Sequence, residues 1–567
     1  MSNPALSLVH GPSEPALFDL TIGQLADRQA AKYEDKDCIV IGWNNTRLSY
    51  RELSESSKVI ARGLLALGVQ SGDRIAILSG DDERFVQVFF AAARIGACLV
   101  IINKTYTVPE CLRALKHTDP VILFVSNVVD RRPTAPILEK LSQVQNGLKH
   151  IVMTRWDTLS ANNPPSTWDS ILSAAHSISD SELNKRQALV DKHSTVNIQF
   201  TSGTTGSPKA AMLTHSNIAN NGFYMGHYLQ LVPEDVVCCG PPLFHCFGLV
   251  AGLLAAFTHG SSIIYSAPDF DAAAVVRMVL KERCTVLHGV PTMFTAVIKE
   301  LEKTGQSVNS IRKGFAAGTK VPRAMLLEMS EKLGFRHIAS PYGMTETAPT
   351  SFIVRVEDSL ERKLETVGTA LPHVSAKIVD PKNKIVPRGT RGEVCVAGWH
   401  VQQGYFQNPE KTAEVMIKDE DGTVWMHTGD EGAIDEHGYL TITGRIKDII
   451  IRGGENIYPV EIEERLLHHP AIGQASVVGL QDHRYGESVN AFLDLRPNQT
   501  KPTLEELKAW VRETLGRHKA PVRVFWVGNG ESITQYPVTG SGKIRKEILR
   551  EIGNKMISTS AAPVSKL

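Results

Sequence analysis

Along the first 200 residues, apolar positions alternate between a spacing of about 3.6 and short continuous runs. Helices therefore alternate with buried strands. Ser49-Tyr-Arg-Glu52 is a capping box opening a helix with Leu53, Ile60, Leu64 and Leu67 on one face, and Gly68 stands where it would stop. Arg74–Leu78 reads as a buried strand, residues 84–95 as a helix and Cys98–Ile102 as a strand. Thr107-Val-Pro-Glu110 starts a further helix, and Val121–Val125 is the next strand. This repetition predicts an α/β layered fold with mostly parallel sheet. Ser160–Ser166 reads as a loop.

After about residue 445 the pattern changes. Pro459–Leu467 is a short helix, and Gln474–Leu480 and Val489–Leu495 are strands. Thr503-Leu-Glu-Glu506 caps a helix aligning Leu507, Val511 and Leu515, and Val522–Val527 is a closing strand. These elements predict a separate small domain.

Composition removes several function classes. The 567 residues are 42% hydrophobic and 21% charged, ordinary for a globular protein. Lys+Arg is 61 against 60 Asp+Glu, so no global field draws nucleic acid and no nucleic-acid partner is expected. The longest apolar run, Phe247–Phe257, is too short for a membrane span of about 20 residues. The eight cysteines include no C-x-x-C pair, so neither a zinc site nor a disulfide framework is expected.

The most specific chemical signal is Thr201-Ser202-Gly203-Thr204-Thr205-Gly206-Ser207-Pro208-Lys209, after a strand at Val196–Phe200. Glycines let backbone N–H groups approach an anion, hydroxyls donate to phosphate oxygens, and Lys209 adds a charge. It is not a Walker A loop, because Pro208 separates Gly206 and Ser207 from the lysine and an apolar strand follows.

This loop closely resembles the nucleotide-binding signature of the adenylate-forming superfamily, which includes acyl-CoA synthetases and other AMP-binding enzymes. Four further motifs follow in the expected order: Tyr342-Gly343-Met344-Thr345-Glu346, Thr428-Gly429-Asp430, Gly444-Arg445-Ile446-Lys447-Asp448, and Thr539-Gly540-Ser541-Gly542-Lys543. The resemblance spans about residues 20–550 and is most like fungal peroxisomal acyl-CoA ligases of secondary metabolism. It implies an ATP-dependent acyl-CoA ligase acting on a small carboxylic acid, with Mg²⁺ as cofactor and coenzyme A as co-substrate. The alternative within enzymes is a stand-alone adenylation protein loading a carrier-protein thiol.

The resemblance implies a large multi-sheet domain over 1–445, a hinge at 446–448 pivoting on Lys447, a small mobile α+β domain over 449–557, and a flexible tail over 558–567. Lys543 is implied as the catalytic lysine of adenylation. Tyr342 offers a flat face for adenine, with Gly343, Met344 and Thr347 around it. Thr345 sits by the α-phosphate, and Glu346 offers a hard oxygen to Mg²⁺. Asp430 and Arg445 are expected at the ribose, Gly318 against the adenine or acyl group, and Gly453 and Gly454 along the pantetheine path. Leu243-Phe-His245-Cys-Phe247-Gly248 resembles the acyl-pocket segment, but carries no acid to pair an amino-acid substrate. Val290, in Gly289–Phe294, and Ala317, in Ala316–Thr319, are further expected pocket walls. The terminal Ser565-Lys566-Leu567 reads as a peroxisomal address, with the peroxisomal import receptor as partner.

Overall fold

The computed structural model describes residues 5–142, 147–155, 166–201, 208–318, 321, 323–540 and 542–560. The calls at 160–165, 202–207, 319, 541 and 565–567 lie outside the described residues.

Helix Tyr50–Ala66 begins at the expected cap: Ser49 accepts the Glu52 N–H, and Glu52 reaches back to the Ser49 N–H. Leu53, Ile60 and Leu64 are buried along its inner face. Strand Arg74–Leu78, helix Glu83–Arg94, strand Cys98–Ile101 and helix Val108–Thr118 follow in the order read from the sequence. These strands form a six-stranded sheet ordered 209–214, 195–201, 98–101, 74–78, 122–126 and 150–155. It is parallel except for the hairpin of its first two strands.

A second sheet of seven strands runs 337–339, 313–315, 286–288, 236–239, 262–265, 37–41 and 46–49. It too is parallel apart from the terminal hairpin 37–41/46–49. Helices cover the faces of both sheets, and most of their strand residues are buried.

A third layer, built mainly from residues beyond the first 200, is antiparallel. Strands Leu8–His10, Val374–Val379, Gly392–Gly398, Val424–Ile434, Met416–Lys418 and Leu440–Arg445 pair antiparallel. Neighbouring strands here run in opposite directions, a pairing that needs no crossover helix between them.

The small domain has a five-stranded sheet of 455–457, 450–452, 486–495, 472–482 and 523–526, with helices Pro459–Leu467, Leu504–Arg512 and Lys546–Ser560. Leu507 and Val511 are fully buried with Ile462, Leu466, Val477 and Val489. Each such side chain contributes about 1.5–3 kcal/mol. The last helix continues to Ser560, three residues into the expected flexible tail. Ile552, Met556 and Ile557 pack against a buried cluster containing Leu480 and Phe492, which holds its final turns in place.

Contacts of Arg391 and Tyr458 pin the small domain over the large one. Arg391 reaches Glu461 at 3.3 Å and lies over the Tyr458 ring, 4.6 Å from its centroid. The Tyr458 hydroxyl donates to Glu431 at 3.1 Å. The space between the domains lies beyond the carboxyl ends of the two parallel sheets, where open α/β folds bind their ligands.

Candidate active site

The nucleotide motif is carried by a hairpin. Thr201 pairs directly with Lys209 across strands Thr195–Thr201 and Lys209–Thr214, with Pro208 leading into the second strand. Ser202, Gly203, Thr204, Thr205, Gly206 and Ser207 fill the connection and lie outside the described residues. Lys209 places its ammonium 4.8 Å from the centroid of the Tyr405 ring. The Tyr405 hydroxyl in turn donates to Glu346 Oε1 at 2.8 Å. The lysine ending the anion loop and the buried glutamate of the second motif are therefore held by one tyrosine.

Glu346 belongs to a single tight turn, Thr345–Thr347. Thr347 Oγ1 accepts the Met344 N–H at 3.0 Å and fixes its start. Gly343 is required where it stands: a Cβ there would lie 1.9 Å from the Pro349 carbonyl oxygen. With one oxygen engaged by Tyr405, the Glu346 carboxylate is oriented and buried, a donor type that suits Mg²⁺.

Antiparallel pairing places Asp430 opposite Arg445. Arg445 Nε donates to Asp430 Oδ1 at 2.8 Å, and the Tyr342 hydroxyl donates to Oδ2 at 2.9 Å. Burial, and then Asp430, push the Tyr342 phenol far above its usual pKa, so it stays a donor. Each Asp430 oxygen keeps a second lone pair, and a ribose diol can donate into those. The turn carrying Asp430 is itself held: Glu393 Oε1 accepts the Gly429 N–H at 3.0 Å, and Oε2 lies 2.9 Å from His427 Nδ1. Among the described residues, Glu393, Cys395 and His427 form the one group compact enough to ligate a metal, and these hydrogen bonds account for its geometry.

The pocket segment and the small domain converge on Val290. A Cβ at Gly318, which has φ of 91°, would meet Val290 at 3.1 Å, and one at Gly542 would meet Val290 and Thr292 at the same distance. Ala317 is buried beside them and donates its N–H to the Gly289 carbonyl at 3.3 Å. Phe247 is buried and opens a π-helical stretch, Phe247–Leu254, whose eight residues are all buried. Such widened turns are frequent at functional sites. Cys246, buried next to His245, lies close enough to Thr345 for a side-chain hydrogen bond.

His245 accepts the Phe247 N–H at Nδ1 (3.1 Å), which places its proton on Nε2. Burial, reinforced by the Lys543 charge, pulls its pKa down to about 4, so it is neutral at working pH. Lys543 keeps water-accessible surface but is ringed by protein across the cleft. That crowding, followed by the Arg445 charge, pulls its pKa down to about 8. Asp430 and Asp448 act the other way. The expected adenylating lysine thus stands near both the ribose pair and the pocket histidine.

Lys447 lies in a single turn, Ile446–Asp448, between two strands. Arg550 donates to Asp448 Oδ1 at 2.8 Å and fixes this turn to the last helix. Burial and Arg445 lower the Lys447 pKa. Gly453 and Gly454, both at positive φ, are exposed. A side chain at Gly453 would meet Tyr485 of the small domain, and one at Gly454 would meet nothing. In this arrangement the cleft receives Lys543. Sequence reasoning missed Tyr405, Glu393 and His427, which act through pairing and packing; His427 directly precedes the Thr-Gly-Asp motif.

Comparison with known proteins decides the family. A family model described as AMP-binding enzyme matches residues 26–406, and one for the AMP-binding enzyme C-terminal domain matches residues 461–543. The chain belongs to the AMP-binding enzyme family. It is 47% identical to the acyl-CoA ligase sidI of Beauveria bassiana, over 99% of this chain and 97% of that protein. It is 37% identical to the putative acyl-CoA synthetase YngI of Bacillus subtilis, over 96% and 99% respectively. Among solved structures, ATP-bound MatB from Rhodopseudomonas palustris superposes with a TM-score of 0.78 at 29% identity, covering 95% of this chain and all of that one. The chain is an AMP-forming acid–thiol ligase of the acyl-CoA ligase class.

Proposed function

We propose that this acyl-CoA ligase divides its two half-reactions between two faces of the small domain, with a small carboxylic acid as substrate. A carboxylate oxygen attacks the α-phosphorus of ATP, the bond to the bridging oxygen breaks, and pyrophosphate leaves. The CoA sulfur then attacks the acyl carbonyl, the carbonyl–AMP bond breaks, and the thiol proton passes to solvent. The observation carrying this reading is the convergence of Lys543 with the Asp430–Arg445 pair and His245 in one cleft.

In the first step the ammonium of Lys543 neutralises charge between carboxylate and α-phosphate, where most of the benefit is positioning and electrostatics. His245 offers Nε2–H toward the acid. Asp430, held by Tyr342 and Arg445, takes the ribose, and Lys209 takes the outer phosphates. Glu346 would hold Mg²⁺, which supplies charge neutralisation on the phosphates when bound. In the second step, rotation about Lys447 withdraws Lys543 and brings in the Gly453–Gly454 turn, whose missing side chains leave room for the pantetheine arm.

We further infer that the terminal Ser565-Lys566-Leu567 is read by the peroxisomal import receptor, and that the enzyme serves secondary metabolism in that organelle.

The test is pyrophosphate release and acyl-thioester formation across a panel of carboxylic acids, with and without CoA. The reading expects at least one acid to give acyl-CoA. Thioester formed on a carrier protein but never on CoA would contradict it.

A further inference from the structure

Four loops that end neighbouring strands meet around one buried ammonium. Lys104 follows strand Cys98–Ile101, and its Nζ lies 2.9 Å from Asp269 Oδ1 and 3.5 Å from Asp81 Oδ2. It also donates to the Pro268 carbonyl at 2.8 Å and stands 5.7 Å from the centroid of the Phe244 ring. Lys104 and Asp81 are both buried. Asp81 is anchored on its far side as well: Oδ1 accepts the Leu243 N–H at 2.8 Å. Leu243 begins the pocket segment bearing His245 and Phe247. The cluster therefore ties the carboxyl end of one parallel sheet to that of the other.

The same loop is where the small domain lands. Asn103 Oδ1 accepts both the N–H and the hydroxyl of Thr105, each at 2.9 Å, which fixes the loop's shape. Gly540 presses on it so closely that a Cβ would come within 2.7 Å of Thr105 and 3.1 Å of Asn103. Gly540 opens the turn that ends in Lys543, and Thr539 Oγ1 accepts the Lys543 N–H at 3.1 Å. Lys104 thus stands between the landing surface of that turn and the wall of the acyl pocket.

Burying the Lys104 ammonium and the Asp81 carboxylate, with Asp269 only partly exposed, carries a desolvation cost that apolar side chains of similar volume would avoid. Burial pushes the Asp81 carboxyl up to about 6, although Lys104 opposes it. What the charged cluster provides and an apolar one would not is directed, simultaneous hold on four loops.

We propose that Lys104, Asp81 and Asp269 are positioning residues for the first half-reaction, setting the register between the Lys543 turn and the pocket segment 243–247. This rests on the reading of Lys543 as the adenylating lysine. Displacing a docking surface by about 1 Å can cost up to about 100-fold in rate without touching the reacting atoms. Thioester formation occurs with Lys543 withdrawn and does not use this dock.

The test compares full-length Lys104→Met, the double variant Lys104→Met/Asp81→Asn, which preserves the net charge of the cluster, and the isosteric Asp269→Asn. ATP–pyrophosphate exchange and thioester formation from supplied acyl-adenylate are measured separately, with thermal melts. Adenylation should fall about 10- to 100-fold in the Lys104 variants and less in Asp269→Asn, while thioester formation stays within about twofold. The double variant should melt near the parent. Unchanged adenylation, or equal loss in both half-reactions in every variant that folds, would overturn the proposal. Lys543→Ala is run alongside: if it leaves adenylation intact, the underlying reading fails, and if it alone separates the half-reactions, only the role of Lys104 fails.

Discussion

Lys543 is a cation held near the middle of its titration, and that has a kinetic signature. Its pKa of about 8 is lowered by crowding in the cleft and then by Arg445. In the proposed role adenylation uses the protonated form, so kcat/KM for that step should be level near pH 7 and fall as pH rises through about 8. Lys543→Arg stays charged throughout and should lose that descent; an unchanged profile would assign it to another group. His245, at about 4, stays neutral across this range and adds no limb between pH 6 and 8. Removing the Tyr342 hydroxyl with Tyr342→Phe frees one Asp430 oxygen and should weaken ATP binding about fivefold, about 1 kcal/mol, measured by equilibrium titration. Lys209, Asp430 and Lys543 could be singled out in the sequence because they stand in contiguous motifs, with the role expected of Lys543 coming from the family resemblance. Tyr405, Glu393 and Lys104 could not, because each gains its role from a partner more than 35 positions away.

At the scale of elements, the capping boxes at Ser49, Thr107 and Thr503 marked helix starts that the structure reproduces. Those signals are local, so they survive without tertiary knowledge. The antiparallel third sheet was illegible for the opposite reason. Its strands mix polar and apolar faces, and its partners are set by long-range closure that brings Leu8–His10 onto Val374–Val379. That sheet nonetheless builds the pair proposed to hold the ribose, since its register sets Asp430 against Arg445. Glu393 secures this register at the Gly429 turn. Glu393→Ala should therefore raise the KM for ATP about tenfold, about 1.4 kcal/mol, while leaving thioester formation from acyl-adenylate unchanged. Steady-state kinetics on the two half-reactions would show it; an unaltered KM would remove Glu393 from the site.

At the scale of the molecule, a change in the pattern of elements near residue 445 signalled two bodies, and the single turn at Ile446–Asp448 joins them. The contacts that hold the bodies in one orientation lie far apart in sequence, and motif reading does not see them. Arg391, Tyr458, Glu431 and Glu461 form the clamp at the domain boundary. In the proposed rotation it opens before Lys543 withdraws. Arg391→Ala should slow adenylation about threefold, within the modest range of exposed ion pairs, and leave or raise the thioester-forming rate. Removing Ser565–Leu567 from a fluorescently tagged chain should move it from puncta to a diffuse distribution, and unchanged puncta would refute the address.

The whole account turns on one ammonium serving one half-reaction. The most direct measurement is therefore the pair of half-reactions in Lys543→Ala. ATP–pyrophosphate exchange should fall at least about 100-fold, while acyl-CoA formation from supplied acyl-adenylate proceeds at the parent rate. Equal loss in both, or exchange at the parent rate, would contradict it.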